Sequence, residues 1–130
     1  METDDRTERG LSFVKKVYGS LSENSNTVPL EVRDDIFSWA VGSVFGDIWS
    51  RPALDIKTRL MITIALLAAL NRREGLREHV YTALKNGVSR QEICEVLFHI
   101  AFLSGLPSAV ESLRLTQTIF EEIDSKAAAD

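Results

Sequence analysis

The chain has 130 residues, a net charge of −4 and the composition of an ordinary globular protein, with 45% hydrophobic and 26% charged residues. These values predict a single domain over residues 1–130, and the scattered basic residues argue against nucleic acid or an anionic membrane as a partner. The single cysteine, Cys94, excludes an internal disulfide. The polar N-terminus lacks the pattern of a secretory signal, so we expect a cytoplasmic protein.

Apolar residues recur at three- and four-residue spacing, and no segment alternates as a half-buried strand does, so the chain is predicted to be all-α with about six helices. The first helix is predicted over about residues 4–18, closed by Gly19, and the polar stretch 22–26 that follows is predicted to be a loop. Pro29 opens a second helix, which carries an amphipathic stripe through Val32, Ile36 and Trp39 and ends near residue 46.

The third helix is predicted to begin after Pro52, with Asp55 as its cap, and to run to about Asn71. Between Leu60 and Leu70 it is apolar nearly all round, so we expect burial on most sides, with a second subunit as one candidate neighbour. This run is far shorter than the roughly 20 residues needed to cross a bilayer, which predicts a core helix.

The last three helices have clear start and stop signals. The fourth is predicted over about residues 74–86, where Asn-Gly ends it. The fifth begins at the capping box Ser89-Arg90-Gln91-Glu92 and ends at residues 104–105. Pro107 opens a sixth helix to about residue 124, and the alanine-rich tail after residue 126 is expected to fray.

Four parts of the chain carry a family resemblance: residues 45–55, Arg59, His79 with residues 83–88, and the stretch 92–107. In these residues the chain resembles the carboxymuconolactone decarboxylase family, which is part of the alkylhydroperoxidase D-like superfamily. The resemblance implies an all-α bundle built around a buried helix hairpin and a small-molecule substrate. It also implies a homo-oligomer of three or six subunits, with pockets near the subunit contacts.

The chain departs from the thiol-dependent branch of that superfamily, in which a C-x-x-C pair precedes the histidine matching His79 and a glutamate lies upstream. The matching positions here hold Arg72, Gly75 and Leu60. Peroxide or disulfide reduction needs one thiol to attack and a second to resolve the product, so the pattern excludes this chemistry. A further departure is Leu103, where decarboxylase relatives commonly carry tyrosine.

Decarboxylation of a lactone acid leaves negative charge on the lactone oxygen, so a site must hold a carboxylate, stabilise the oxyanion and return a proton to carbon. A histidine, one or two cations and an apolar pocket suffice, and no cofactor is required. His79 is the first candidate for the proton donor, and a hydrogen-bonded helix histidine is the alternative. His99 lies in an apolar run, 96–102, that we expect to face the core. It is either a buried histidine whose hydrogen bonds are made within the fold or a neutral ring that donates to the oxyanion.

Two arginines are candidates for holding the substrate carboxylate. Arg59 is predicted to be catalytic, together with the two histidines, and Arg51 is predicted to bind the substrate. A guanidinium presents a fork of donors that matches a carboxylate. The alternative for both arginines is a surface ion pair with Asp47, Asp55 or Glu95.

Four more residues complete the candidate substrate-binding group. Trp49 either walls the pocket or packs a helix junction. Phe98 and Phe102, four residues apart, either pack in the core or line an apolar cavity. Glu95 is a better partner for the histidine ring than Glu78, which points about 100° away from His79 around the helix.

The function predicted from these residues is that of a cofactor-independent lyase of the carboxymuconolactone decarboxylase type, in the catabolism of aromatic compounds. Its substrate would be a small cyclic carboxylic acid or lactone that reacts through an enolate-type intermediate. One alternative is a non-catalytic oligomer that binds a small molecule or a protein, which the missing cysteines would allow. A dehydratase or isomerase in a biosynthetic pathway is the other.

Overall fold

A computed structural model describes residues 5–19 and 28–130, and the predicted loop at 22–26 lies outside these residues. The described residues form six α-helices and one π-helical segment, with no strand, which confirms the all-α prediction. The helices are α1 (Asp5–Val17), α2 (Leu30–Trp39), α3 (Ile56–Ala69), α4 (Arg73–Lys85), α5 (Arg90–Ser104) and α6 (Leu106–Ala129), and the π-helical segment Ala40–Trp49 follows α2. None of the described helices combines the length and apolar character of a membrane span.

The chain divides into two compact units, Met1–Ile56 and Lys57–Asp130. In the first unit, α1 crosses the π-helical segment at two glycines. A Cβ on Gly10 would lie 1.9 Å from the Val41 carbonyl oxygen, and a Cβ on Gly46 would lie 2.2 Å from the Arg6 carbonyl oxygen. The absence of side chains at these two positions therefore allows the two backbones to approach this closely.

An aromatic cluster packs beside the glycine crossing of the first unit. The ring of Phe13 stacks on Phe45 with centroids 5.9 Å apart, and Trp49 meets Phe13 edge-on at 5.8 Å. Tyr18 completes the cluster, with its centroid 5.2 Å from that of Phe45. Such pairs add about 0.5–1.5 kcal/mol beyond the area they bury, so the cluster helps to hold α1 on the π-helical segment.

The second predicted helix differs from the sequence expectation in two ways. It continues past residue 46 as a π-helix to Trp49, where the Ser50 hydroxyl donates to the Phe45 carbonyl oxygen at 2.6 Å. The expected stripe is not covered, because α2 contains no buried residue and Trp39 is 62% exposed. An amphipathic pattern specifies which side prefers burial, but a single chain does not always supply the partner surface.

The core of the second unit is made by one face from each of its four helices. Its most deeply buried side chains are less than 2% exposed and are mostly branched and aliphatic; they include Leu60, Ile64, Val80, Ile93, Leu97 and Ile119. The expectation that α3 is buried on most sides is wrong for the single chain. Its opposite face leaves Ile62 and Leu66 about half exposed, because neighbouring helices of this unit cover only one side.

The boundaries of the last helices follow the predicted signals closely. The Ser89–Glu92 capping box is present in full, with the Ser89 hydroxyl accepting from the Glu92 amide at 3.0 Å. Gly87 and Gly105, with φ of +90° and +100°, occupy the left-handed region before α5 and α6. The predicted end of the last helix near residue 124 is wrong, since α6 continues to Ala129 through three alanines, the best helix formers.

Candidate functional site

His79 lies on α4 at the edge of that helix's buried stripe, beside Val80, and its side chain is half-buried. Its Nδ1 atom is 2.9 Å from the carbonyl oxygen of Gly75, one turn earlier. A carbonyl can only accept, so this bond requires the proton on Nδ1 and leaves the lone pair of the neutral ring on Nε2. The helix therefore fixes both the tautomer and the orientation of the ring.

The packing of α4 on α3 explains why glycine precedes the histidine by one turn. A Cβ on Gly75 would approach the Leu67 side chain to 3.1 Å, which is tighter than ordinary van der Waals contact. The small residue thus allows close packing of α4 on α3. Position 75 therefore has a packing role in this chain.

Four of the predicted residues share one stripe of α5, but that stripe faces outward. Glu95, Phe98, His99 and Phe102 are all exposed, with Phe98 at 72% and Phe102 at 92%. The expectation that His99 and the two phenylalanines face the core is wrong for the single chain. The buried face of α5 is instead Ile93, Leu97 and Ile100, together with the half-buried residues beside them. The run 96–102 is apolar all round, so its composition could not select a face.

The two arginines predicted as clamps lie in different surroundings. Arg59 is half-buried on α3 next to the fully buried Leu60, and its carbonyl oxygen accepts from the Thr63 hydroxyl at 2.8 Å. Arg51 is exposed and follows the π-helical segment of the first unit. Asp47, considered above as a partner for the clamps, forms ion pairs with arginines of α1 at 3.3 and 3.6 Å.

Trp49 belongs to the aromatic cluster of the first unit, so its ring packs a helix junction. His79 on α4, Arg59 on α3 and the α5 stripe belong to the second unit. The described geometry therefore brings together the four α5 residues, and it places His79 on a separate helix of the same unit. The catalytic and binding roles of all the named residues stay predictions.

A polar cluster that sequence reasoning overlooked joins α4 to the C-terminal half of α6. Arg77 and the hydroxyl of Tyr81 both donate to the same carboxylate oxygen of Glu122. The bond to Glu122 raises the pKa of Tyr81, and the bonds from Tyr81 and Arg77 lower the pKa of Glu122. The cluster borders an open groove of about 720 Å³. Because all three side chains satisfy one another, we interpret it as a structural link between the helices.

A second feature missed from the sequence is a hollow of about 80 Å³ at the turn between α3 and α4. Arg72, Arg73 and Ser112 are among the residues that line it. The signal in the sequence is the pair of consecutive arginines at the start of a helix. Within residues 5–19 and 28–130, no group of three or more His, Cys, Asp or Glu side chains is arranged to hold a metal ion.

Comparison with known proteins agrees with the resemblance seen in the sequence. Residues 35–118 match the carboxymuconolactone decarboxylase family. The chain is 30% identical to 4-carboxymuconolactone decarboxylase of Acinetobacter baylyi, over 95% of this chain and 92% of that protein. It is 35% identical to nitrosuccinic acid decarboxylase npaB of Metarhizium robertsii, over 90% of this chain and 83% of that protein. An uncharacterised 15.0 kDa protein of Paracoccus denitrificans is 33% identical over 63% of each chain. The two decarboxylase names support the prediction of a carboxy-lyase.

Proposed function

Since this chain belongs to the carboxymuconolactone decarboxylase family, we propose that it is a cofactor-independent carboxy-lyase acting on a small cyclic carboxylic acid or lactone. Relatives that cover most of the chain and are named as decarboxylases support the reaction class. The observation that carries the proposal is His79, a half-buried imidazole whose Nδ1 is held by its own helix.

In the proposed reaction, the bond between the carboxylate carbon and the ring breaks, and carbon dioxide leaves. The electron pair of that bond passes to the ring and is delocalised onto the lactone oxygen as an enolate. A proton must then be added to carbon, and the Nε2 of a protonated His79 supplies it, because Nδ1 is engaged with Gly75. Positive charge from Arg59 stabilises the anion in the transition state.

The proposal includes a homo-oligomer of three or six subunits in the cytoplasm, with a role in the breakdown of aromatic compounds. Support for self-association comes from apolar side chains that the single chain leaves exposed on α2, α3 and α5, including Leu66 and Phe102. Monomeric proteins rarely expose large contiguous apolar patches. A subunit packed on the α5 stripe would also remove water from His99 and Phe98, which an enolate-stabilising site requires.

The catalytic proposal is tested by measuring carbon dioxide release from 4-carboxymuconolactone with purified protein, and nitrosuccinic acid, an open-chain acid, is the comparison substrate. His79→Gln should lower kcat about 100-fold or more, because a positioned general acid contributes roughly 10²–10⁴-fold. The glutamine amide can still donate to Gly75, so the helix should stay intact. Glu78→Gln, an exposed neighbour on the same helix, is the matched control and should retain activity.

Near-normal turnover by His79→Gln, with an unchanged circular dichroism spectrum, would remove His79 from the mechanism. Saturable binding of either acid without release of carbon dioxide would favour the non-catalytic alternative instead.

The assembly is tested separately by light scattering, where Phe102→Glu should lower the molar mass relative to the unmodified protein. Gln117→Glu, at an exposed polar position of α6, is the control and should leave the mass unchanged. A monomeric unmodified protein would contradict the assembly.

A further inference from the structure

The hollow between α3, α4 and α6 is built by a sharp helix ending. Asn71 has a φ of +58°, its amide donates to the Ala68 carbonyl oxygen, and the Arg72 amide donates to the Leu67 carbonyl oxygen. These two bonds form a Schellman motif, which ends α3 and lets α4 begin at Arg73 immediately afterwards. Two consecutive arginines are thereby placed at the N-terminus of α4, beside the hollow.

The guanidinium groups of Arg72 and Arg73 do not pair with other side chains of the described residues. Among the described residues, neither Arg72 nor Arg73 has an ion pair or a side-chain hydrogen bond. The N-cap residue of α4 makes no side-chain capping bond either, so the amides of the first turn lack that partner. A helix N-terminus carries partial positive charge, which adds to that of the two guanidinium groups.

A third, independent feature is a serine side chain that lines the same hollow from α6. Ser112 is only 5% exposed, and no hydrogen bond to its side chain is found in the described part of the chain. Its oxygen is not among the fully buried side-chain atoms without a partner in the described residues, so the hydroxyl opens onto the hollow and can bond to a polar group that enters it. Leu67 and Leu76 supply the apolar part of the lining.

From this juxtaposition we propose that the hollow formed by Arg72, Arg73 and Ser112 binds the carboxylate group of a small organic acid. A guanidinium fork matches a carboxylate in a bidentate manner, and the serine hydroxyl can donate a further bond to it. A volume of about 80 Å³ fits a group of this size, since one water molecule occupies about 30 Å³ in the liquid. Glu111 also lines the hollow, and its negative charge limits the affinity.

This site is distinct from the proposed reaction centre, because His79 does not line the hollow. Arg72 lies seven residues before His79, which corresponds to about 10 Å along the helix axis. Binding at the hollow therefore does not depend on the proposed decarboxylation, and either proposal can fail while the other holds.

The test is a titration of isotope-labelled protein with acetate, followed by amide chemical shifts at constant ionic strength maintained with sodium chloride. We expect saturable shifts at residues 72–76 and at Ser112. Arg72→Gln and Ser112→Ala should each weaken acetate binding, by about tenfold for the arginine, because a bond to a charged group is worth at least one decade in Kd. Lys85→Gln, which removes a positive charge at the far end of α4, should leave Kd unchanged. Glu111→Gln should tighten binding.

Several results would overturn the proposal. Shifts that rise linearly with acetate, or equal Kd values for the Arg72→Gln and Lys85→Gln proteins, would mean general attraction of anions to a charged surface. Weaker binding by Glu111→Gln would contradict the electrostatic argument. Inorganic phosphate is the comparison ligand: saturable binding of phosphate without binding of acetate would overturn the assignment to a carboxylate.

Discussion

Replacement of Gly10 by alanine tests how α1 is held against the π-helical segment of the first unit. The added Cβ would lie 1.9 Å from the carbonyl oxygen of Val41 and 2.7 Å from its carbonyl carbon. Both are backbone atoms, so the contact cannot be relieved by rotation of a side chain. Either the two helices must move apart or α1 must detach, and both outcomes loosen the aromatic contacts between Phe13 and Trp49.

The expected loss is the difference between two effects. Overpacking costs about 1–3 kcal/mol, and the upper end applies here because the obstacle is backbone. Alanine recovers about 1 kcal/mol of helix propensity relative to glycine. The net destabilisation of Gly10→Ala is therefore about 2 kcal/mol. With a urea dependence of about 1.5 kcal/mol/M, the midpoint of unfolding should fall by about 1.3 M.

Gly42→Ala is the matched control, because it adds the same methyl group to the same helix pair. There the new Cβ would meet only the flexible side chain of Arg6, at 3.4 Å. Its stability should be unchanged or raised by up to about 1 kcal/mol. Tryptophan fluorescence during urea unfolding reports on the first unit, since the two tryptophans of the chain, Trp39 and Trp49, both lie in it. Equal midpoints for Gly10→Ala and Gly42→Ala would refute the close backbone contact.

Three further predictions concern stability in the second unit. Thr116→Val should raise the free energy of unfolding by about 1 kcal/mol in thermal or urea unfolding, because the buried Thr116 hydroxyl has no hydrogen-bond partner among the described residues, and a loss would contradict this. Ser89→Ala should lower it by about 1 kcal/mol by removing the α5 capping box, whereas an exposed control, Ser125→Ala, should not. The lowered pKa of Glu122 adds stability that is fully present above its ordinary value of 4.5 and is lost as the pH falls through the folded-state pKa. The stability difference between the unmodified protein and Glu122→Gln should therefore shrink below pH 4.5 in acid titrations, and a constant difference would contradict the assignment.

Local signals were sufficient where one short segment contains all the chemistry involved. The Ser89 and Glu92 pair reproduces the predicted capping box, since both partners lie within one turn and no distant residue competes for them. The Gly75 to His79 spacing likewise places the ring beside a carbonyl oxygen of its own helix. The family could be identified from motifs of the same local kind, and the match over residues 35–118 confirms that identification.

The sequence by itself determined the helical class, most helix ends and the family, because periodicity, caps and glycine stops act through contacts a few residues apart. Only the tertiary structure decided which face each apolar helix turns inward. Around Leu66 and Phe98 both faces of the helix are hydrophobic, so the sequence pattern does not indicate which face is buried. The buried face is then decided by the shape of the neighbouring helices. The hollow beside Arg72 also required the tertiary structure, since Ser112 reaches it from a helix 40 residues later in the chain.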